Sequence, residues 1–322
     1  MSIMRSWRSL AIAAMVIAAV AGPAMEARAN DGLEALGLRH LYLEGVPTEP
    51  VWPEPERPND ALPDSHAALG ENDIAEAWLI APTKRYGHAV LGDAIEAGGL
   101  RVVLRDGRAV DYLLDEDSVF EDLRPRLADL DGDGRDEIIV VRSYLDAGAA
   151  LSVFGLRNGR LEFLGETSPI GQPHRWLNPV GAGDFDGDGQ IEIAYVETPH
   201  IGGILRIVSL RGGRLIEEAA RSGYSNHAMG SRKLQLSAVH DFDGDGSDDI
   251  LVPANGRREL KVVSFAGGHF RELAKIDAVE PIGGDMDVAK SDGAGGPTVY
   301  VVIRPGLVMV LGPRPRPPAR AQ

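Results

Sequence analysis

An acidic pattern of nine residues occurs three times in this chain at nearly equal intervals. The copies begin at Asp129, Asp184 and Asp241, which are 55 and 57 residues apart. Each reads Asp-X-Asp-Gly-Asp-Gly, has a carboxylate at its ninth position, and leads into a short apolar run. Such a run, rich in β-branched residues, is typical of a buried strand. A fixed period of this length indicates a fold built from repeated supersecondary units.

A second pattern, a glycine hairpin, alternates with the first. An alternating apolar segment ends in Asp-Gly, Asn-Gly or Gly-Gly, pairs that supply the positive φ of tight hairpin turns. One repeat therefore reads as strand a, acidic loop, strand b, connection, strand c, glycine turn and strand d. That is a four-stranded antiparallel sheet of the size of a propeller blade. The four turn glycines are Gly107, Gly159, Gly213 and Gly268.

The repeats predict an all-β fold, a β-propeller of five four-stranded blades over residues 64–312. The first blade lacks an acidic loop, and the fifth has no strand d after Leu311. Residues 39–44 have a strand composition and no place in another blade, so we expect them to pair with residues 307–311. This pairing would remove an exposed sheet edge. Residues 30–63 would then be a closing strand and a proline-rich linker. A stacked solenoid is the structural alternative.

The N-terminal residues 1–29 have the pattern of a secretory signal peptide. Arg5 and Arg8 precede a short apolar stretch, and residues 27–29 read Ala-Arg-Ala, a small-residue cleavage site. We therefore expect cleavage after Ala29 and a periplasmic or extracellular location. No later stretch is long and apolar enough for a membrane span. Residues 313–322, rich in proline and arginine, are expected to be a disordered tail.

The charge balance restricts the partners. Asp and Glu number 48 against 33 Lys and Arg, which gives a formal net charge of −15. This charge opposes binding to nucleic acid and to anionic lipid, and it favours cations. The chain has no cysteine, which excludes a disulfide framework and a lipid anchor on cysteine.

The acidic loops are suited to calcium. Carboxylates stand at positions 1, 3, 5 and 9 of each loop, and glycine at position 6 permits a sharp bend. Four carboxylates within about 5 Å repel one another by about 3 kcal/mol per pair. A solvated turn that binds no cation could avoid this repulsion by using neutral residues such as Asn or Ser. Hard oxygen ligands in one tight loop are what Ca²⁺ prefers. The loops are not EF-hands, because position 12 is Val140, Tyr195 or Val252 instead of glutamate.

The stretches 183–189 and 240–246, Gly-Asp-Phe-Asp-Gly-Asp-Gly and His-Asp-Phe-Asp-Gly-Asp-Gly, resemble FG-GAP (VCBS-type) repeats. These repeats form the blades of integrin α-subunit propellers and of many bacterial secreted proteins. The resemblance extends over residues 74–312 and implies a propeller with Ca²⁺ between the first two strands of a blade. It does not imply one activity, because the family includes adhesion modules and accessory domains of enzymes. The ligands implied by the motif are Asp129, Asp131, Asp133 and Glu137; Asp184, Asp186, Asp188 and Glu192; and Asp241, Asp243, Asp245 and Asp249.

A ligand face is expected opposite the acidic loops. In an up-and-down blade the a–b and c–d turns lie at one end, and the b–c and d–a connections lie at the other. These connections are the long ones here, and they carry arginine, histidine and aromatic residues that suit an anionic or glycan ligand. The candidate residues are Arg85, Tyr86, His88, His174, Arg175, Trp176, His227 and Arg232.

The sequence favours a non-catalytic binding scaffold for a glycan or protein partner. It contains no nucleophile elbow, zinc-protease helix motif, phosphate loop or cysteine site. His88, His174 and His227 could instead converge as acid–base groups or metal ligands. A polysaccharide lyase or hydrolase built on a propeller therefore stays open, as does a structural component of the cell envelope.

Overall fold

The computed structural model describes residues 32–46, 57–289 and 297–313. The signal-peptide residues 1–29, the linker residues 47–56 and the tail residues 314–322 lie outside this description. The described residues form an all-β fold with one short 3₁₀ turn at Ala266–Gly268. The strands are β1 (Leu38–Val46), β2 (Ala68–Leu69), β3 (Ile74–Thr83), β4 (Glu96–Leu104), β5 (Ala109–Leu113), β6 (Ser118–Phe120), β7 (Arg126–Ala128), β8 (Glu137–Tyr144), β9 (Gly148–Arg157), β10 (Arg160–Glu166), β11 (Leu177–Gly183), β12 (Glu192–Glu197), β13 (Ile204–Arg211), β14 (Arg214–Ser222), β15 (Ala238–His240), β16 (Asp249–Pro253), β17 (Glu259–Ser264), β18 (Arg271–Asp277), β19 (Met286–Ala289), β20 (Thr298–Arg304) and β21 (Gly306–Pro313).

The strands form five antiparallel groups of four, which we call the first to fifth sheets. The first contains β2–β5, the second β7–β10, the third β11–β14, the fourth β15–β18, and the fifth β19–β21 together with β1. In the second, third and fourth sheets the acidic loop joins strands a and b, and the glycine turn joins c and d. The all-β fold of four-stranded antiparallel sheets predicted from the repeats is therefore present.

One strand was not anticipated from the repeat pattern. The strand β6 lies between the first and second sheets and pairs with β8 through Ser118 and Tyr144, among others. It also pairs with β4 at Ala97 and Phe120. The first two sheets are thereby joined into one sheet of nine strands. All three residues of β6 are buried, which explains why so short a segment is held as a strand.

Burial follows the position of a strand within its sheet. The b and c strands of the second sheet, β8 and β9, are buried along nearly their whole length. The d strand β14 is mostly exposed. Hydrophobic clusters connect the first sheet to the second, the second to the third, the third to the fourth, and the fourth to the fifth. Within the described ranges, no such cluster connects the fifth sheet to the first.

The N-terminal strand completes the fifth sheet. The strand β1 pairs antiparallel with β21, with Arg39 opposite Gly312 and Glu44 opposite Leu307. Leu38 and Tyr42 are buried in the cluster between the fourth and fifth sheets. The Tyr42 hydroxyl donates a hydrogen bond to the carbonyl oxygen of Asp277 at 3.0 Å. The pairing expected for residues 39–44 is therefore confirmed.

Candidate metal loops and ligand pocket

The three acidic loops bring carboxylates together as the sequence predicts. In each loop, oxygens of the residues at positions 1, 3 and 9 lie within 4.8 Å of one another. The position-5 aspartates are not members of these clusters. One oxygen of each accepts the backbone N–H of the residue at position 7, at 2.8–2.9 Å. The clusters are Asp129, Asp131 and Glu137; Asp184, Asp186 and Glu192; and Asp241, Asp243 and Asp249.

The backbone of each loop folds around its first aspartate. In the second loop, Asp184 accepts N–H groups of Gly187 and Gly189 at 2.8 and 3.0 Å. In the third, Asp241 accepts the N–H of Gly246 at 3.0 Å. These glycines have φ of 82°, 86° and 96°, a region that a side chain rarely permits. The repeated Gly-Asp-Gly is therefore what allows the loop to close on its own carboxylate.

The carboxylate at position 9 is the most buried ligand candidate. Glu137, Glu192 and Asp249 each begin strand b, and each accepts the backbone N–H of the residue at position 2, at 2.9–3.0 Å. Burial, together with nearby aspartates, raises the pKa of each of these three carboxyls to about 7. A bound cation would favour their charged forms.

One oxygen of the third loop supports the fit of a cation. Asp249 is fully buried, and its Oδ1 atom has no hydrogen-bond partner. A buried carboxylate oxygen without a partner is costly, and buried charges in proteins are paired or coordinate metals. The donor set, with carboxylates and no nitrogen or sulfur, is typical of a Ca²⁺ site. The residues present therefore fit the ion that the motif implies.

A pocket lies at the other end of the sheets. It is built from the b–c connections of the first and third sheets and from the d–a connections that follow the second and third sheets. In the third sheet, Glu192 of the acidic loop and Thr198 beside the pocket lie at opposite ends of β12, about 20 Å apart. The residues that line the pocket are His88, His174, Arg175, Trp176, Thr198, His200, Ile201 and Met229.

The pocket wall consists of aromatic and imidazole rings. The Trp176 and His200 rings are stacked, with an interplanar angle of 8° and centroids 6.1 Å apart. The His88 and His174 rings lie 5.2 Å apart. His174 and Thr198 have φ of 60° and 47°, conformations that cost free energy outside glycine and cluster at functional sites.

His88 is held by a buried carboxylate. Its Nδ1 atom lies 2.7 Å from Oε1 of Glu121, which is fully buried. Burial raises the pKa of Glu121, whereas the hydrogen bond from His88 lowers it. The backbone carbonyl of Glu121 accepts the indole N–H of Trp176 at 2.9 Å, and the Tyr86 hydroxyl accepts the N–H of His174 at 2.8 Å. These bonds fix the geometry of one side of the pocket.

A second histidine pair forms the other side. His200 Nε2 lies 2.8 Å from His227 Nδ1, and His227 Nε2 lies 2.9 Å from the carbonyl oxygen of Ser231. A carbonyl only accepts, so His227 Nε2 carries the proton and His227 Nδ1 accepts from His200. Burial lowers the pKa of His200 to about 4 and that of His227 to about 3. Both rings are therefore neutral at physiological pH.

The eight residues expected on the ligand face fall into three groups. His88, His174, Arg175 and Trp176 line the pocket. Tyr86 and His227 are buried behind it. The other two are engaged elsewhere: Arg85 donates to the carbonyl of Ser118, and Arg232 forms ion pairs with Asp64 and Asp93 at 3.1 and 3.0 Å.

Trp176 supports the pocket more than it faces it, because only 2% of its surface is exposed. Among the eight residues expected on the ligand face, it is therefore a poor choice for a binding variant. The sequence pattern did not single out Thr198, Ile201 or Met229. Ile201 and Met229 are 57% and 64% exposed, and no periodicity marks an apolar residue that lies in a loop.

Comparison with family models identifies the repeat. Residues 129–195 match the FG-GAP-like repeat family. The chain contains an FG-GAP-like repeat. The matched segment begins at Asp129 of the first acidic loop and ends within β12, just after the second acidic loop. The third loop repeats the carboxylate geometry of the FG-GAP-like segment outside the matched residues.

Several solved structures are similar to the chain at low identity. The exotype rhamnogalacturonan lyase YesX gives a TM-score of 0.42 and 16% identity, over 82% of this chain and 57% of that one. A Bacillus licheniformis rhamnogalacturonan lyase gives 0.46 and 16%, over 77% and 50%. The WD40 domain of Toxoplasma gondii coronin gives 0.39 and 12%, over 75% and 57%. With TM-scores below 0.5, these similarities support no inference about this chain.

The chain thus spans between half and three-fifths of the length of these structures. No curated protein matches it in sequence. In the described part of the chain, no helix has the length and apolar character that crossing a membrane requires.

Proposed function

We propose that this protein is an exported, calcium-stabilised propeller that binds an anionic glycan without catalysing a reaction on it. The observation that carries the proposal is the pocket on the face opposite the acidic loops. There a guanidinium, several imidazoles and the edge of an indole converge on an otherwise strongly acidic protein.

Arg175 is the central residue of this proposal. It lines the pocket between His174 and Trp176, and within the described residues its guanidinium forms no ion pair. A guanidinium binds carboxylate or sulfate groups through paired hydrogen bonds, and imidazoles add neutral donors. The exposed side chains of Ile201 and Met229 add apolar area that could contact a sugar ring. Together these groups suit an acidic sugar better than a neutral one.

Calcium has a structural role in this proposal. The residues that would hold it are those at positions 1, 3 and 9 of each acidic loop, with the position-5 aspartates nearby. The ion would neutralise carboxylates that otherwise repel one another and would fix the turn between strands a and b. It lies too far from the pocket to touch the ligand.

The five sheets are proposed to be the blades of one propeller. Pairing of β1 with β21 gives the fifth sheet its outer strand. The position of the pocket supports this arrangement, because connections from the first, second and third sheets meet there. The Gly230 N–H also donates to the carbonyl of Val90, which links a connection after the third sheet to the first sheet.

Export is proposed from the signal-peptide pattern of residues 1–29. N-terminal sequencing of the protein recovered from the periplasm or medium should begin at Asn30. A sequence that begins at Met1 would contradict export by cleavage.

The binding proposal is tested by screening the full chain on an array of neutral, uronic-acid and sulfated glycans. We expect binding to acidic members, and Arg175→Ala should weaken it by about 1 kcal/mol or more. The matched control is Arg214→Ala, an exposed arginine after the glycine turn at the other end of the third sheet. Binding that is absent from every acidic glycan, or that is lost in the control variant alone, would contradict the proposal.

A lyase or hydrolase is the second candidate, and the His88–Glu121 pair favours it. Glu121 contacts Nδ1 of the imidazole, so Nε2 is the ring nitrogen left to act on a substrate. A base beside Arg175 could remove the proton from the carbon next to a sugar carboxylate. A C=C bond would then form as the glycosidic C–O bond at the following carbon breaks, and the departing oxygen would take a proton from water. Glycans bound on the array should be incubated with the protein and analysed by mass spectrometry. Cleavage products that disappear in His88→Asn would establish this candidate over the binding scaffold.

A further inference from the structure

We infer that Arg157 acts as a built-in cation in the first acidic loop and makes that loop a weaker Ca²⁺ site than the other two. The inference rests on the proposal that the acidic loops hold Ca²⁺. It adds that the three loops, which look alike in sequence, differ in affinity.

The guanidinium of Arg157 lies among the carboxylates of the first loop. Its Nη2 atom is 3.1 Å from Oδ2 of Asp131 and 3.3 Å from Oε1 of Glu137. Asp131 and Glu137 are two of the three members of the carboxylate cluster in that loop. Its Nη1 atom donates to the carbonyl of Leu156 at 3.1 Å, which anchors the side chain. One nitrogen therefore bridges two of the oxygen-bearing groups that a cation would need.

A glycine makes room for this guanidinium. Gly155 follows Phe154, the residue paired with Ile138, and so lies beside Glu137. A Cβ atom on Gly155 would be 2.7 Å from Leu164 Cδ1 and 3.3 Å from both Arg157 Nη1 and Glu137 Oε1, so the glycine leaves space for the leucine as well as for the guanidinium. The corresponding residue beside Glu192 in the third sheet is Ser209.

The third sheet has an arginine at the same place but directs it elsewhere. Arg211 ends β13 before the glycine turn, as Arg157 ends β9. Its Nη2 atom lies 2.9 Å from Oε1 of Glu218, which stands at the bulge of the neighbouring d strand. The bulge of the second sheet carries Leu164, which offers no charge. Arg157 therefore turns to the acidic loop, and Arg211 does not.

The fourth sheet has no such arginine. Ala266 stands at the equivalent place, two residues after Ser264. Arg271 lies 3.7 Å from Oδ2 of Asp245, a position-5 residue outside the carboxylate cluster. The buried Oδ1 atom of Asp249 has no partner. In the third loop the position-9 carboxylate thus has an oxygen available for a cation, whereas in the first loop the position-9 carboxylate of Glu137 is already bound to the Arg157 guanidinium.

A fixed positive charge in the ligand set must be displaced before Ca²⁺ binds. It repels the ion, and its own hydrogen bonds to the two carboxylates are lost on displacement. Ca²⁺ affinity depends on the number of charged ligands available, so the first loop should bind more weakly by roughly tenfold or more.

The test is a Ca²⁺ titration of the metal-free full chain by calorimetry, with bound ions counted by native mass spectrometry. The wild-type protein should bind two ions tightly and a third at least roughly tenfold more weakly. Arg157→Gln should tighten the weak site, in the first acidic loop, to the range of the other two. Arg211→Gln is the matched control and should leave all three affinities unchanged, because Arg211 is paired with Glu218.

A second variant guards against a folding defect in the first. Leu164→Glu places a carboxylate in the second sheet at the position that Glu218 occupies in the third sheet. It should pair with Arg157, draw it away from the first acidic loop, and tighten Ca²⁺ binding there. Three equivalent sites in the wild-type protein, or unchanged affinities in both variants, would overturn the inference but not the calcium proposal. No Ca²⁺ binding in any loop would overturn both.

Discussion

The carboxylate of Glu121 lies 2.7 Å from the Nδ1 atom of His88, although Glu121 follows β6 and His88 belongs to the connection after β3. The contact uses Nδ1 of His88, so the Nε2 atom lies on the side of the ring away from Glu121. The unanticipated strand β6 thus places the buried carboxyl that contacts a pocket histidine.

This pair should contribute measurably to stability. Glu121→Ala removes the partner of both His88 Nδ1 and the buried Ser143 hydroxyl, and it should lower the free energy of unfolding by about 1.5–3 kcal/mol. In a double-mutant cycle with His88→Asn, we expect a coupling energy of about 1 kcal/mol, measured by urea denaturation. Additive effects of the two substitutions would show that the residues do not interact.

Glu96 gives a pH-dependent prediction. It is buried, and burial followed by repulsion from Glu121 raises its pKa from 4.5 to about 9. Between these values the unfolded chain has released the proton and the folded protein keeps it, so stability falls as the pH rises. Glu96→Gln removes this loss.

We expect the melting temperature of Glu96→Gln to exceed that of the wild type at pH 8 by about 2 °C or more. The difference should shrink as the pH falls and should disappear below 4.5, the ordinary pKa of the carboxyl, where it is protonated in both states. Melting curves recorded in the same buffer series provide the test, and a difference that does not change with pH would contradict it.

Calcium should raise the melting temperature, and Asp249 should be required at the third loop. Each occupied site adds about 2.7 kcal/mol at a hundredfold excess over its dissociation constant. Asp249→Ala should remove one bound ion and reduce the stabilisation by calcium. The control is Asp115→Ala, an exposed aspartate outside the loops. If a chelator leaves the wild-type melting curve unchanged, the acidic loops do not bind calcium under these conditions.

The closing strand should be essential to the fold. Leu38 is 3% exposed in the cluster between the fourth and fifth sheets, so Leu38→Ala should cost about 2–5 kcal/mol. Leu69→Ala is the control, because Leu69 is 57% exposed in β2 and its truncation should change stability by about 0.5 kcal/mol or less. Equal effects in thermal unfolding would mean that β1 contributes little.

The sequence was most informative where local chemistry determines structure. The Asp-X-Asp-Gly-Asp-Gly loops and the glycine turns predicted strand boundaries in three sheets, because glycine at positive φ and short β-branched runs act locally. The pairing of residues 39–44 with 307–311 was predicted by elimination. The fifth sheet lacked its strand d, and residues 39–44 were the one strand-like segment not assigned to a sheet.

The sequence was least informative where distant segments meet. The strand β6 has only three residues, too few for a periodic pattern, and its role depends on burial between two sheets. Arg157 contacts the acidic loop and Arg211 contacts Glu218, because the strand bulges carry Leu164 in the second sheet and Glu218 in the third. A bulge cannot be located without the pairing register. Arg232 appeared available in sequence but is paired with Asp64 and Asp93, which precede it by more than a hundred residues.

The pairing of β1 with β21 also sets an order of events during synthesis. The strand β1 is synthesised long before β21. Its apolar side chains Leu38 and Tyr42 therefore stay unpacked while the strands between β1 and β21 form their sheets. Contacts between such distant segments form slowly, and an unpaired strand edge is prone to associate with other chains. Completion of the fifth sheet should therefore be the last step of folding, and nascent chains that stop before residue 306 should be the most prone to aggregate.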